Sequence, residues 1–177
     1  MSKLKLATVW LDGCSGCHMS ILDMDERLLT IAELVDLVYS PIVDTKQYPD
    51  HVDIALVEGA VASVDDEKKI RKIRAHTKLL VAMGDCAVAG NVPSMRNPFG
   101  PAAILDRAYF ENATLQQQIP CVVVPKLLRV VRPIHEFVKV DVFLPGCPPS
   151  ADTFHTALTA LVTGEPLDIP ALTRFGA

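Results

Sequence analysis

Five short apolar segments, rich in β-branched residues, recur along this chain and limit its fold more than any other feature. Each is bounded by Gly, Pro or Asp, as buried strands usually are. They cover residues 4–11, 52–57, 79–83, 121–124 and 140–144, and we add 34–39 as a further candidate strand. Between these segments, the spacing of apolar residues predicts helices at 20–34, 65–76 and 151–162.

Alternation of buried strands with helices is the pattern of an open parallel sheet that helices cover on both faces. The sequence therefore predicts an α/β fold with three layers, in which a flavodoxin-like, mainly parallel sheet lies between two layers of helices. We assign residues 1–163 to this one domain. Residues 164–177, which include Pro166 and Pro170, are predicted to form an extended C-terminal tail.

The size and charge of the chain exclude several classes of protein. Its 177 residues suffice for one domain with a core but not for two ordinary domains. A net charge of −4 argues against nucleic acid as a partner, because the phosphate backbone attracts clustered Lys and Arg. No apolar stretch approaches the roughly 18 residues that a membrane-spanning helix needs, so we expect no transmembrane segment.

Four of the five cysteines and one glutamate lie where predicted strands end. They are Cys14 and Cys17 after the first strand, Glu58 after 52–57, Cys86 after 79–83 and Cys147 after 140–144. Because the carboxyl ends of parallel strands lie at one edge of a doubly wound sheet, we expect these side chains to converge. Glycines beside the cysteines are predicted to let backbone amides approach a bound cofactor; these are Gly13, Gly16, Gly84 and Gly146.

Four thiolates suit either an iron–sulfur cluster or a zinc ion, so the type of ligand leaves both possibilities open. Structural zinc usually draws on two local cysteine pairs, whereas this chain has one Cys-x-x-Cys pair and two single cysteines. A thioredoxin-like redox pair at Cys14 and Cys17 is a third interpretation, which leaves Cys86 and Cys147 unexplained. Cys121 lies in an apolar run and is predicted to be a buried core residue.

Four motifs resemble those of the small-subunit family of nickel–iron hydrogenases, in the family's order and over nearly the whole chain. They are Asp12-Gly13-Cys14-Ser15-Gly16-Cys17, Glu58-Gly59, Gly84-Asp85-Cys86-Ala87 and Pro145-Gly146-Cys147-Pro148-Pro149. The resemblance implies a flavodoxin-like domain in which the four cysteines bind a proximal [4Fe–4S] cluster. It also implies docking on a large subunit that carries the Ni–Fe centre.

Within that family, the chain looks most like the soluble NAD-reducing, bidirectional enzymes. Larger periplasmic members carry a twin-arginine leader and a cysteine-rich extension for two more clusters, and this sequence shows neither. We therefore expect a cytoplasmic, single-cluster subunit of a hydrogen:NAD+ oxidoreductase. The resemblance implies that its partners include ferredoxin-like and flavin-binding diaphorase subunits, which hold further iron–sulfur clusters, FMN and NAD.

The chain itself is not expected to bind FMN tightly or to bind NAD. Residues 14–17 occupy the loop in which a flavodoxin holds its phosphate, and the sequence contains no Gly-x-Gly-x-x-Gly motif and no P-loop.

Two other functions are compatible with the same cysteines. One is a cluster subunit of a complex-I-like quinone reductase. The related 20 kDa subunit of respiratory complex I typically has adjacent cysteines where this chain separates Cys14 from Cys17 by two residues, which favours the hydrogenase. The other is a structural zinc-binding interaction module.

Glu58 is the candidate catalytic residue of the chain. Its carboxylate is predicted to lie near the cluster, where it could relay protons or transiently bind iron in an oxidised state. An equally weighted alternative is a carboxylate that only caps backbone amides near Gly59. His18 is interpreted as a surface or interface histidine in preference to a hydrogen-bond donor to a cluster sulfur.

Overall fold

The computed structural model describes residues 3–173, which form one large and one small sheet. The large sheet has five parallel strands: β1 (Leu4–Trp10), β2 (Val35–Tyr39), β3 (Val52–Glu58), β5 (Thr77–Met83) and β7 (Val142–Leu144). The small antiparallel sheet pairs β4 (Val61–Ser63) with β6 (Leu127–Arg132). The large sheet has the strand order β2-β1-β3-β5-β7, which is the flavodoxin-like order with its topological switch between β1 and β3.

Helices cover both faces of the large sheet. The α-helices of the described residues are α1 (Gly16–Leu22), α2 (Arg27–Leu34), α3 (Val64–Ala75), α4 (Gly84–Ala89), α5 (Asn91–Ser94), α6 (Gly100–Asp106), α7 (Ala151–Thr163) and α8 (Ile169–Leu172). Helices α1, α2 and α7 pack on one face, and α3 and α4 pack on the other. The predicted three-layer α/β fold is therefore confirmed. Over residues 3–173, no helix combines the length and the apolar composition needed to cross a bilayer.

Alternate residues of the central strand β3 are buried on opposite faces of the sheet. Ile54 and Leu56 belong to the core cluster that includes Phe154 of α7. Ala55 and Val57 belong to the cluster on the α3 face. Because both faces are covered, the strand is a continuous apolar run, which is why its position could be predicted from the sequence.

The last residues of four parallel strands stand side by side across the sheet. Trp10 pairs with Glu58, Glu58 pairs with Met83, and Met83 pairs with Leu144. The loops that follow these strands therefore all leave the sheet at one level of its carboxyl edge.

Two predicted elements differ in the structure. The strand predicted at 121–124 is wrong, because these residues form no strand and Val123 is 99% exposed. Cys121, predicted to lie in the core, is exposed as well. An apolar run indicates burial only where another element covers it, and the strand in this part of the chain is β6, which begins at Leu127.

The helix predicted at 20–34 is divided into α1 and α2, because Asp25 adopts a left-handed φ of 50° between them.

The predicted C-terminal tail is helical in one part. Gly164, with a φ of 78°, ends α7, and residues 169–172 then form α8 instead of an extended segment. Ile169 packs against the core, and the Thr153 hydroxyl donates to the carbonyl of Leu172 at 3.1 Å. Residues 174–177 lie outside the described residues, and the domain boundary at 163 stays a prediction.

Helix α3 begins with a capping box that the acidic start of this segment supports. The Ser63 hydroxyl accepts a hydrogen bond from the Asp66 N–H at 3.1 Å, and the Asp66 carboxylate accepts one from the Ser63 N–H at 2.9 Å. These two bonds satisfy amides that the helix itself leaves without partners.

Replacing Ser63 with Ala is expected to lower the free energy of unfolding by about 1 kcal/mol, because an N-cap acceptor is lost. The measurement is urea unfolding of the purified protein followed by far-UV circular dichroism. Lys68→Ala is the control in the same helix, since its exposed pair with Asp65 at 3.6 Å contributes little. Equal midpoints for the two variants would contradict the capping role.

Candidate metal centre

The carboxyl edge of the large sheet carries all four predicted cysteine ligands. Cys14 lies in the loop after β1, Cys17 in the first turn of α1, Cys86 in α4 after β5, and Cys147 between β7 and α7. Cys17 and Cys86 are buried, with exposed fractions of 7% and 8%, and we call them the inner pair. Cys14 and Cys147 are exposed and form the outer pair. The site is therefore closed on the side of the fold and open on the side of the surface.

Two glycines leave room beside the cysteine sulfurs. Gly84 has a φ of +80°, and a Cβ atom at this position would lie 2.2 Å from the Cys17 Sγ. A Cβ atom on Gly16 would lie 3.2 Å from the Cys14 Sγ. Only a residue without a side chain fits such a space at Gly84, both sterically and for its left-handed backbone.

The other two predicted glycines make their closest contacts with backbone. A Cβ atom on Gly13 would lie 3.3 Å from the Gly59 Cα, and one on Gly146 would lie 2.7 Å from the Pro149 nitrogen. These positions hold loops together beside the cysteines. A role of any of the four glycines in binding a cofactor stays a prediction.

Hydrogen bonds join the loops that carry the cysteines. The Asp85 N–H donates to the Gly146 carbonyl at 2.9 Å, and the Gly146 N–H donates to the Asp85 Oδ1 at 2.7 Å. The loop after β1 is joined to the end of β3 by two backbone bonds between Asp12 and Ala60, of 3.1 and 2.7 Å. Because Asp85 is buried, the exchange with Gly146 takes place away from water and fixes Cys86 relative to Cys147.

The four thiols lie close enough to affect one another's ionisation. Burial, followed by the negative charges of Glu58 and the other three cysteines, raises the pKa of the Cys17 thiol. Burial and the charges of Cys14 and Cys147 raise the pKa of Cys86 to about 11. Four thiolates at this edge would repel one another, so a positively charged metal group is the kind of ligand that stabilises them together.

The four cysteines at this edge are donors of the kind that bind either an iron–sulfur cluster or a zinc ion. Within residues 3–173, no three His, Cys, Asp or Glu side chains lie close enough together to surround one metal ion. In a zinc site all ligand sulfurs lie about 2.3 Å from the same ion, whereas in a [4Fe–4S] cluster each cysteine binds a different iron. Four cysteines are the complete ligand set of such a cluster, and which group they bind stays a prediction.

Glu58 holds the beginning of α1. Its carboxylate, 2% exposed, accepts hydrogen bonds from the Cys17 N–H at 3.3 Å and the His18 N–H at 3.1 Å. It also pairs with the His18 Nδ1, whose ring has its other nitrogen, Nε2, buried without a hydrogen-bond partner in the described part of the chain. His18 was predicted to be a surface or interface histidine; its side chain is only 12% exposed and pairs with Glu58, so the surface position is wrong and the interface role stays a prediction.

Asn91 was not among the residues predicted from the sequence. Its side-chain Nδ2 lies 3.3 Å from the Cys147 Sγ, although 56 positions separate the two residues. The local signal is the Gly90-Asn91 dipeptide, which is typical of a turn and contains no information about Cys147.

Comparison with known proteins gives sequence relatives over nearly the whole chain. A family model described as NADH ubiquinone oxidoreductase, 20 kDa subunit, matches residues 14–161. The delta subunit of the NAD-reducing hydrogenase HoxS of Cupriavidus necator is 42% identical over 174 residues, which cover 96% of this chain and 83% of that one. A subunit of the vhu F420-non-reducing hydrogenase of Methanocaldococcus jannaschii is 37% identical over 169 residues. The match covers 94% of this chain but only 59% of this second relative.

Solved structures match the fold. A chain in the crystal structure of an NAD+-reducing [NiFe]-hydrogenase in the H2-reduced state matches with a TM-score of 0.92 and 39% identity, over 98% of this chain and 99% of that one. A chain of the Dm. baculatum [NiFeSe]-hydrogenase matches with a TM-score of 0.60 over 94% of this chain and 67% of its own length. At 19% identity, this second match concerns the fold alone.

Replacing Gly84 with Ala is expected to displace Cys17 and to lower the iron bound per chain, because the new Cβ atom overlaps the Cys17 Sγ. The measurement is iron analysis and visible absorption of the anaerobically purified protein. Gly100→Ala is the matched control: its φ of +76° gives similar backbone strain, but its Cβ atom meets nothing within 4 Å. Equal loss of iron in both variants would show that strain, and not the Cys17 contact, is responsible.

Proposed function

This chain belongs to the family of the NADH ubiquinone oxidoreductase 20 kDa subunit, and we propose that it is the electron-transferring small subunit of a nickel–iron hydrogenase. The observation that carries the proposal is the position of Cys14, Cys17, Cys86 and Cys147 at one edge of the sheet. A proximal [4Fe–4S] cluster bound there would supply one-electron transfer. Hydrogen would be split or formed at a Ni–Fe centre on a partner chain, the large subunit.

In this proposal the inner and outer pairs have different tasks. Cys17 and Cys86 would hold the cluster against the core, where burial excludes water from their sulfurs. Cys14 and Cys147 would hold the side that faces the partner, so that the cluster lies near the surface through which electrons enter or leave. This division is supported by the exposure of the four side chains.

An exposed apolar segment that follows α4 supports docking of the large subunit. We call it the 92–123 patch, and its members with large exposed fractions are Val92, Met95, Phe99, Leu115, Val122 and Val123. It begins next to Asn91, whose side chain contacts Cys147. Exposed apolar surface of this kind marks a site of protein interaction.

We further propose that the complete complex is a cytoplasmic hydrogen:NAD+ oxidoreductase. The support is the 42% identity to a NAD-reducing hydrogenase subunit and the match to a chain of an NAD+-reducing [NiFe]-hydrogenase. Ferredoxin-like and flavin-binding diaphorase subunits would then carry the electrons onward through further iron–sulfur clusters and FMN to NAD.

A complex-I-like quinone reductase is the second candidate, because the matching family model is described by the 20 kDa subunit of NADH ubiquinone oxidoreductase. It would use the same four cysteines. A nickel-containing large subunit that copurifies with this chain would exclude it.

Cys86→Ser and Cys147→Ser are each expected to abolish the signal of the cluster. The measurement is metal analysis with low-temperature EPR on the anaerobically purified, reduced native complex, in which we expect four irons assigned to this chain and nickel in the partner. Cys121→Ser is the matched control, since this exposed cysteine follows none of the strands that end at the site.

Zinc without iron in the purified complex would overturn the hydrogenase proposal and favour the structural zinc module. Iron that is lost equally in Cys121→Ser would contradict the assignment of the ligands.

Replacing Glu58 with Gln is expected to lower the bound iron, because the amide keeps only one acceptor oxygen and would turn its NH2 group toward the N–H of either Cys17 or His18. The role of Glu58 as a proton relay or transient iron ligand stays a prediction. Hydrogen turnover, iron content and the EPR spectra of oxidised and reduced samples are to be measured together, with the more exposed Glu67→Gln as the control.

The outcome separates the possible roles of Glu58. Full iron content with turnover reduced by about 100-fold would favour the proton relay, and a changed spectrum of the oxidised sample alone would favour the iron ligand. Unchanged iron, spectra and turnover would contradict all three roles.

A further inference from the structure

The Asn91 side chain contacts Cys147 at the candidate site, and the proposed function gives this contact no role. Its Nδ2 donates to the Cys147 Sγ at 3.3 Å. We propose that Asn91 tunes the reduction potential of the cluster by this hydrogen bond to one of its ligand sulfurs. The inference rests on the proposed function, because it requires a cluster bound by Cys147.

The direction of the effect follows from the charge on the sulfur. A metal-bound thiolate has only lone pairs to offer, so the amide must turn its N–H group toward it. Reduction of the cluster adds negative charge that the ligand sulfurs share, and a donor stabilises the more negative state more strongly. Asn91 therefore raises the reduction potential, and its removal lowers it.

The backbone around Asn91 holds the amide in place. Asn91 has a φ of 29° and follows Gly90 at 89°, so two successive residues are left-handed or close to it. Asn is one of the few residues other than Gly that adopt such a conformation readily. The Ser94 hydroxyl donates to the Asn91 carbonyl at 2.7 Å, and the Ser94 N–H donates to the Gly90 carbonyl at 3.2 Å. The donor is thus preorganised by its own short helix.

Because Asn91 lies at an exposed surface, we expect its hydrogen bond to the Cys147 sulfur to be strongest in the assembled complex. Asn91 is exposed in this chain, and the neighbouring Val92 and Met95 are 48% and 70% exposed. A partner that covers the 92–123 patch would remove the water that competes for the amide. The potential of the complete complex, not of the separate chain, is therefore the quantity to measure.

The chain offers two substitutions that suit the left-handed backbone. Asn91→Gly removes the donor and keeps the backbone conformation. Asn91→Asp keeps the size of the side chain but replaces the donor with a negatively charged acceptor. Ser94→Ala is the control, because it removes a hydrogen bond of the same short helix without touching the sulfur.

The experiment is a redox titration of the cluster in the complete complex, followed by low-temperature EPR, with iron content measured on every sample. For Asn91→Gly we expect the oxidised-to-reduced ratio at a fixed potential to rise by up to about tenfold, which equals a shift of about 59 mV to more negative potential for one electron. Asn91→Asp is expected to shift further in the same direction, and Ser94→Ala, which keeps the donor and removes only a hydrogen bond to its backbone, is expected to shift less than Asn91→Gly.

Several results would overturn the inference. These are a midpoint of Asn91→Gly that equals that of the unsubstituted complex, a shift to more positive potential, and an equal shift in Ser94→Ala. Loss of iron from both Asn91 variants would also overturn it, because Asn91 would then serve to hold Cys147 in place. If the unsubstituted complex has no cluster on this chain, that result contradicts the proposed function itself and not only the role of Asn91.

Discussion

Parallel pairing in register is the constraint on which the rest of the structure depends. Trp10, Glu58, Met83 and Leu144 end four strands at one level of the sheet. The segments that follow three of these strands contain the cysteines, which lie far apart in the sequence but only a few residues from the strand ends. The hydrogen bonds between Asp85 and Gly146, and between Asp12 and Ala60, then hold these strand ends together at the edge.

Two of the four cysteines are buried and two are exposed, and this difference matters for the negative charge that each thiolate carries. Burial raises the pKa values of the Cys17 and Cys86 thiols, so an uncompensated thiolate is unfavourable at either inner position. The outer sulfurs face the surface. A positively charged group at the centre of these four positions offsets the unfavourable free energy of the buried inner thiolates. It also leaves the side of the outer pair open to a partner.

Much of this arrangement could be predicted from the sequence, because strands buried on both faces are continuous apolar runs. The strands that end at Trp10, Glu58, Met83 and Leu144 were identified in this way, and with them the edge at which the cysteines lie. The same rule was wrong at 121–124, where the apolar run is exposed. The apolar composition of a segment indicates that it is to be buried. It does not indicate whether the segment is buried within its own chain or against another chain.

The contacts that could not be predicted join residues far apart in the sequence. Neither the pairing of His18 with Glu58 nor that of Asn91 with Cys147 has a local pattern, because each depends on how two loops approach after the sheet has formed. The division between α1 and α2 at Asp25 was missed for another reason. The helical spacing of apolar residues continues through the turn and gives no sign of it.

The long connection from β5 to β7 has a consequence for how this architecture can vary. It contains the 92–123 patch and strand β6 of the small sheet, yet it leaves the large sheet just after Met83 and returns to the neighbouring strand at Val142. Its middle part can therefore be lengthened, shortened or given a new surface while the two strand ends that it joins stay adjacent. The exposed surface of this connection and the geometry of the cysteines are, in this respect, independent, so the surface can change while the cysteine site stays the same.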